Sequence, residues 1–352
     1  MKYFVCEGTP EGAYNASTKA RKDAEYILKN LNFKEFYIET KYGVQQNKLL
    51  KFKQLIDYRK NCEIWMKTIT NLKKDDILLI QYPLINTMLG FEKVMEKLKE
   101  KGVITIILIH DLDSLRFIGM PRVVKEDRNV INKANYIIAH NKKMKEKLIE
   151  MCKIDKDRII ELEIFDYILD NEIIPKERKK DKPIVIAGNL SKEKAEYLKY
   201  LKNVNNVTFN LYGKGYQKDE DEKNINYIGA FLPEELINNL DGSFGLVWDG
   251  NSIDTCSGPY GEYLKYNNPH KTSLYLTAML PVIVWKNSAM AEFVENNKVG
   301  ITIERLEDIE FEIQKLTDEE YSKMIENTKA ISEKLKRGEY LRKSIYKISE
   351  GK

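Results

Sequence analysis

Short apolar runs rich in β-branched residues alternate along the chain with longer stretches whose apolar positions recur every three or four residues. In the first half the runs are Lys2–Cys6, Glu35–Glu39, Ile77–Gln81, Val103–His110, Tyr136–Ala139 and Arg158–Glu161. They lack strict polar alternation, as strands do when both faces of their sheet are covered. Ser17–Leu31, Asn47–Thr70, Phe91–Lys101 and Asn141–Met151 read as helices; in the first, Ala20, Ala24, Ile27, Leu28 and Leu31 share one face. The alternation predicts an α/β chain with a doubly wound parallel sheet. A polar stretch, NEIIPKERKKDKP from Asn171, then breaks the rhythm.

The second half repeats the plan. Its strands are Pro183–Ala187, Val207–Tyr212, Asn226–Ile228, Phe244–Trp248, Pro281–Trp285 and Val299–Ile303. Lys192–Leu201, Pro233–Leu240, His270–Met279 and Ala289–Asn296 are its helices, followed by charged helices after Leu306. The expected organisation is a domain over 1–170, a linker over 171–182, a second domain over 183–330, and a final helix over 331–352 that returns to the first domain. Two such domains leave a cleft between them, and ligands of such sheets bind beyond the carboxyl ends of the strands.

The segment Asp241–Trp285 carries the sharpest local signal. A buried strand leads into a long polar loop, and Asn268-Pro269 is expected to open the next helix, with Asn as cap and Pro in the first turn. His270, Lys271, Thr272 and Ser273 fill that turn. Unpaired backbone N–H groups, the positive end of the helix dipole and an ammonium would meet there, which suits a phosphate or diphosphate. A lysine in a first turn is more often merely solvated. The length of the loop favours function, and its Tyr260, Tyr263 and Tyr266 would either stack on a base or sugar or seal the loop against the core.

Composition narrows the classes. Net charge is only +4, spread along the chain, so nucleic acid is not demanded, while an acidic ligand or a weak peripheral hold on an anionic membrane is permitted. Cys6, Cys62, Cys152 and Cys256 are far apart, and with three histidines they assemble no zinc pattern. The chain opens directly on an apolar strand, so no signal peptide is expected, and no apolar run approaches the ~20 residues of a membrane span. A reducing cytoplasm is the expected location.

Other strand ends supply further candidates. Glu7 and the glycines after it follow the first strand, without a GxGxxG fingerprint. His110-Asp111 ends the fourth strand, and Asp111 reads either as a general base or as the cap of the next helix. Gly188 lets a ligand approach the backbone, and Asn189 or Ser191 would cap the following helix. Tyr212-Gly-Lys-Gly215 is too short for a P-loop but would hold a base against Tyr212, or form an ordinary turn. Asp249 follows a buried strand and faces the expected ligand side.

The run ending in PHKTSLYLTAMLPVIVW resembles the C-terminal domain of GT-B glycosyltransferases, and is most similar to the bacterial glucosyltransferase 3 family, which shares its fold with β-1,6-galactofuranosyltransferases. LIHDLDSLRF at 108–117, AHNKKMKEKL at 139–148 and IAGNLS at 186–191 agree. The resemblance implies two Rossmann-like domains, an acceptor domain followed by a donor domain. In many such enzymes the helix reads K-L-x-E-Y-x-A-x-G-x-P, its Lys on the donor diphosphate and its Glu on the ribose. Lys271 holds the Lys position; Leu274 stands where the Glu would be, so another group must meet the ribose.

The resemblance implies a donor pocket of Gly188, Asn189, Tyr212, Asp249, Tyr263, His270, Lys271 and Thr272. It puts an acceptor side at Asn15, Ser17, Thr18 and Gln81. It implies a UDP-sugar donor, a glycan or glycoprotein acceptor in surface polysaccharide or glycoprotein synthesis, no metal or other cofactor, and room for a homo-oligomer. Inverting transfer of glucose or galactofuranose needs a base, for which Asp111 stands ahead of Glu7 and Asp113. Two alternatives share the plan: a nucleotide-sugar epimerase, which needs no acceptor, and a non-catalytic glycan-binding partner subunit.

Overall fold

A computed structural model describes residues 1–7, 16–39, 48–86, 90–117, 120–170, 172–174, 176–218 and 222–350. The chain divides into two compact units. The first comprises Met1–Ala13, Arg21–Leu162 and Arg342–Lys352; the second comprises Tyr14–Ala20 and Glu163–Leu341. The division thus falls at Leu162 and Glu163, ahead of the charged stretch that the sequence offers as a linker.

The first unit is built on six strands: β1 (Lys2–Glu7), β2 (Lys34–Ile38), β3 (Ile77–Tyr82), β4 (Ile104–Ile109), β5 (Tyr136–Ala139) and β6 (Ile159–Glu161), in the order β2-β1-β3-β4-β5-β6. Every pairing is parallel. β3 and β4 are buried almost throughout, which explains why both read as unbroken apolar runs. The helix Lys142–Cys152 starts where its sequence says, because the Asn141 side chain accepts the Met144 N–H at 3.0 Å. The helix Pro121–Ile131 escapes the sequence reading; its start is marked only by Pro121 in the first turn.

The second unit repeats the plan with β7 (Ile184–Asn189), β8 (Phe209–Lys214), β9 (Ile225–Gly229), β10 (Gly245–Val247), β11 (Val282–Trp285) and β12 (Gly300–Ile303). Their order is β12-β11-β10-β7-β8-β9, again all parallel. The chain runs outward through β8 and β9, then returns to the middle and runs the other way through β11 and β12. β7 and β10 therefore flank a topological switch point, where open α/β sheets leave a crevice beyond the strand ends. No helix among the described residues is long and apolar enough to cross a membrane.

One helix lies directly on this switch point. His270–Thr277 packs its Tyr275 ring flat against Gly245 of β10, where an added Cβ would stand 2.2 Å from the ring. The Tyr275 hydroxyl accepts the Ala187 N–H of β7 at 2.7 Å. Its carboxyl end is held as firmly. Ser332 donates to the Thr277 carbonyl at 2.8 Å, and Arg178 donates to the Ala278 carbonyl at 2.8 Å and to Leu240 at 3.1 Å. The charged stretch read as a linker thus supplies a cation to two helix carboxyl ends.

Candidate active site

The carboxyl ends of β7 and β10 and the start of the His270 helix bring three charges together. Lys271 Nζ donates to Asp249 Oδ1 at 2.7 Å and to the Trp248 carbonyl at 3.2 Å. Lys194, from the short helix Lys192–Ala195, lies 3.8 Å from Asp249 Oδ2. Both Lys271 and Asp249 are nearly enclosed, with side chains 12% and 7% exposed. Burial pushes the Lys271 ammonium below its ordinary pKa, and the Asp249 carboxylate opposes that shift. Two ammoniums share one carboxylate, so the cluster carries a net positive charge.

Gly188 closes one side of this cluster. Its φ of +123° is a conformation that suits glycine, and a Cβ there would touch Lys271 Cε at 3.9 Å. Backbone without a side chain therefore lies open beside the ammonium. Asn189 turns the chain: its Oδ1 accepts the Ser191 N–H at 2.9 Å. Nearby is a cavity of about 300 Å³, lined by Lys192, Glu193, Glu196, Gly250, Asn251 and Tyr260 among others. Lys194 stands over the Tyr260 ring at 5.8 Å.

The helix start differs from expectation in detail. Pro269, not Asn268, is the N-cap, and no side chain caps the first turn. The Asn268 amide instead donates to the Glu163 carbonyl at 3.0 Å. His270 stacks on Tyr167 with ring centres 5.1 Å apart, and Lys19 lies 4.6 Å from that tyrosine's ring centre. Burial, aided by Lys19, pushes the His270 pKa down to about 3, while a hydrogen bond to the Asp166 backbone resists. Its Nε2 is buried without a hydrogen-bond partner among the described residues.

Three donor-side expectations are corrected. Tyr212 is 2% exposed and its hydroxyl accepts the Asp241 N–H at 3.1 Å, so it is packed inside and cannot stack on a base. Tyr263 is likewise 2% exposed; it seals the loop against the core. Thr272 is fully buried, and its N–H goes to the Pro269 carbonyl at 2.9 Å. Asp249 lies just beyond the carboxyl end of β10, bonded to Lys271 and 3.8 Å from Lys194; by itself a carboxylate repels a diphosphate. Lys194 was missed: nothing in a lone helical lysine signals that the fold turns it toward Asp249.

On the first unit, Gln81 is also withdrawn. It is 4% exposed, its amide donates to Glu25 at 3.3 Å, and its Oε1 meets His110 Nε2 at 2.7 Å. Both ends of its amide are occupied. Asp111 is 34% exposed and ion-paired with Arg116; Leu112, not Asp111, caps the next helix. Glu7 is buried, accepts the N–H groups of Ile85 and Asn86, and burial raises its pKa. Burial likewise raises the pKa of Asp113. Thr18 is half-buried in the helix Ala16–Asn30, and Ser17 lies in the same helix, its side chain outside the description. Asn15 lies outside the described residues. Among the described residues no group of three metal-binding side chains gathers.

The model of the glucosyltransferase 3-like N-terminal domain matches residues 2–164, and that of the glucosyltransferase 3-like C-terminal domain matches residues 184–348. The chain is 32% identical over 282 residues to the β-1,6-galactofuranosyltransferase WbbI of Escherichia coli K12, covering 80% of this chain and 81% of WbbI. Among solved structures, sucrose-phosphate synthase of Thermosynechococcus elongatus superposes with a TM-score of 0.64 at 11% identity, covering 100% of this chain and 99% of the synthase. Anabaena Alr3699/HepE, solved with UDP and glucose, gives 0.57 at 12% identity over 98% of this chain and 99% of its own. At such identities these structures speak for the fold alone. With both domain models matched in sequence order and two parallel sheets to carry them, the chain belongs to the glucosyltransferase 3-like family and is a glycosyltransferase of GT-B fold.

Proposed function

We propose that the chain transfers a hexose, glucose or galactofuranose, from a UDP-sugar to a hydroxyl of a glycan or glycoprotein, with inversion at the anomeric carbon. One observation carries this: Lys271 and Lys194 converge at the switch point of the second sheet, beside the bare backbone of Gly188 and an uncapped helix start. Such a place neutralises a diphosphate and favours its departure. The names of WbbI and of the family model supply the two sugars, and the resemblance read from the sequence supplies the UDP. In the transfer, the acceptor oxygen forms its bond to the anomeric carbon as the bond to the diphosphate breaks. The electron pair leaves on a phosphate oxygen held by the lysines, and the acceptor proton passes to a base. Asp111, partly exposed at the carboxyl end of β4, is the base we propose.

The test is Lys271→Ala. The variant should melt close to the wild type, bind UDP at least tenfold more weakly, and lose transfer by about 100-fold or more, as when one transition-state donor is removed. Wild-type UDP affinity and turnover in a folded Lys271→Ala protein would remove the diphosphate from this site.

A further inference from the structure

The placement of Asp249 is at odds with a site for an anion. A carboxylate that is 7% exposed stands where a diphosphate would arrive, and it has no freedom to turn away. Its Oδ1 is taken by Lys271 at 2.7 Å and its Oδ2 faces Lys194 at 3.8 Å. Its backbone is fixed as well. The Asp249 carbonyl lies against Gly261, and the next residue, Gly250, donates to the Lys194 carbonyl at 3.0 Å. The loop after β10, the helix Lys192–Ala195 and the His270 helix therefore all meet at this one carboxylate.

We propose that Asp249 is a positioning residue: a fixed counter-ion that keeps the enclosed Lys271 protonated and spreads Lys271 and Lys194 into a two-pronged seat for the donor diphosphate. The idea rests on the diphosphate site proposed above and adds the reason that site keeps its charge. An ammonium taken out of water loses its proton more readily unless a carboxylate stands beside it. The groups facing Lys271 are few. Asp249 favours the proton, Lys194 disfavours it, and Cys256, buried with its own pKa raised, contributes least. Remove the Asp249 charge and both burial and Lys194 act against the Lys271 ammonium with little to oppose them.

Asp249→Asn keeps the shape and removes the charge. UDP binding by this variant and by wild type, measured by calorimetry between pH 7 and pH 9.5, reads the effect. Above pH 7 the terminal phosphate of UDP is largely ionised, and the uracil N3–H, which begins to titrate at the alkaline end, weighs on wild type and variant alike, so each variant is read as its ratio to wild type at the same pH. In the variant the dissociation constant should climb with pH, approaching tenfold per pH unit once Lys271 has lost its proton, because binding must then take up a proton. At the low end of the range the variant should bind UDP within about threefold of wild type, whose affinity should stay flat to higher pH. In a Lys271→Met background, Asp249→Asn should add no pH dependence. A loss of affinity that is the same at every pH would make Asp249 a structural residue and overturn the proposal. So would a pH profile identical to wild type. If Lys271→Met alone leaves UDP binding unchanged, the diphosphate site itself falls, and the counter-ion role with it. Should Asp249→Asn fail to fold, Asp249→Glu decides. It keeps the charge, so its affinity should stay as flat with pH as that of wild type, and a steep profile there would sink the counter-ion role.

Discussion

Gly245→Ala tests whether the fold truly sets the position of Lys271. The methyl would stand 2.2, 2.3 and 2.7 Å from three ring carbons of Tyr275. Carbon atoms in contact prefer about 3.5 Å, so the ring must retreat by more than about 1 Å. It has little room to do so. Tyr275 is fully buried, and its hydroxyl is anchored to the Ala187 N–H at 2.7 Å. Overpacking of this kind costs about 1–3 kcal/mol, and straining the anchored hydrogen bond about 1 kcal/mol more. For a unit of this size each kcal/mol shifts the melting temperature by about 2–4 °C, so a fall of about 5–15 °C is expected.

The helix cannot yield without moving the site. Lys271 lies one turn before Tyr275, on the same face. A shift of about 1 Å at the ring carries the ammonium with it, and misplacement on that scale costs about 100-fold in rate. Differential scanning fluorimetry gives the stability, and UDP titration with a transfer assay gives the site. Replacing Tyr275 by Leu in the same chain relieves the clash and should restore part of the melting temperature. If Gly245→Ala alone melts within about 1 °C of wild type and binds UDP normally, the helix has slack and the packing explanation is wrong.

Two further outcomes follow from the first unit. His140 is 1% exposed, its ring bonded to the Ile109 carbonyl at 3.0 Å, and burial pushes its pKa down to about 4. The unfolded chain therefore takes up the proton first as pH falls. Stability from the neutral ring is complete above pH ~6.5 and is lost progressively toward pH ~4, up to about 3 kcal/mol. Thermal melts of His140→Gln at pH 7 and pH 5 should show a smaller acid loss than wild type; an equal loss would mean that the ring titrates normally. Asp111→Asn should cut transfer by about 10²–10⁴-fold while UDP binding and melting temperature hold. A loss of melting temperature instead would assign Asp111 to the ion pair with Arg116 and not to proton transfer.

What the sequence reveals depends on how local the cause is. The apolar runs were enough to find the twelve strands of the described residues, most plainly β3, β4, β10 and β11, where burial on both faces leaves an unmixed apolar signature. Asn141 could be read as a cap because its partner, the Met144 N–H, is three residues away. The tyrosines stay ambiguous in the sequence for the opposite reason. Tyr212 and Tyr263 look alike on paper to Tyr260, yet two are sealed and one lines a cavity, and only the packing of distant strands decides which. Lys194 is one of many lysines, and its contact with Asp249 spans the switch point between β7 and β10. The helix Gly258–Tyr263 was lost in the loop because its two glycines and Pro259 argue locally for a turn.

The His270 helix shows how one short sequence serves several partners. Residues 270, 273 and 277 recur at helical spacing. His270 meets the Asp166 backbone, Ser273 donates to the Phe165 carbonyl at 2.6 Å, and the Thr277 carbonyl takes the Ser332 hydroxyl. Lys271 and Tyr275 form the other row, against Asp249, Gly245 and Ala187. Leu274 falls between the rows and is 7% exposed, packed into the interior. A glutamate there would bury a carboxylate, which costs several kcal/mol unless it is paired. Leu274, in place of the Glu of the K-L-x-E pattern, agrees with how this helix is seated. The same seating brings Lys271, in the first turn, to the carboxylate at the end of β10, and in the site we propose it makes the charge of that carboxylate, more than the helix sequence, the control on how an anion is received.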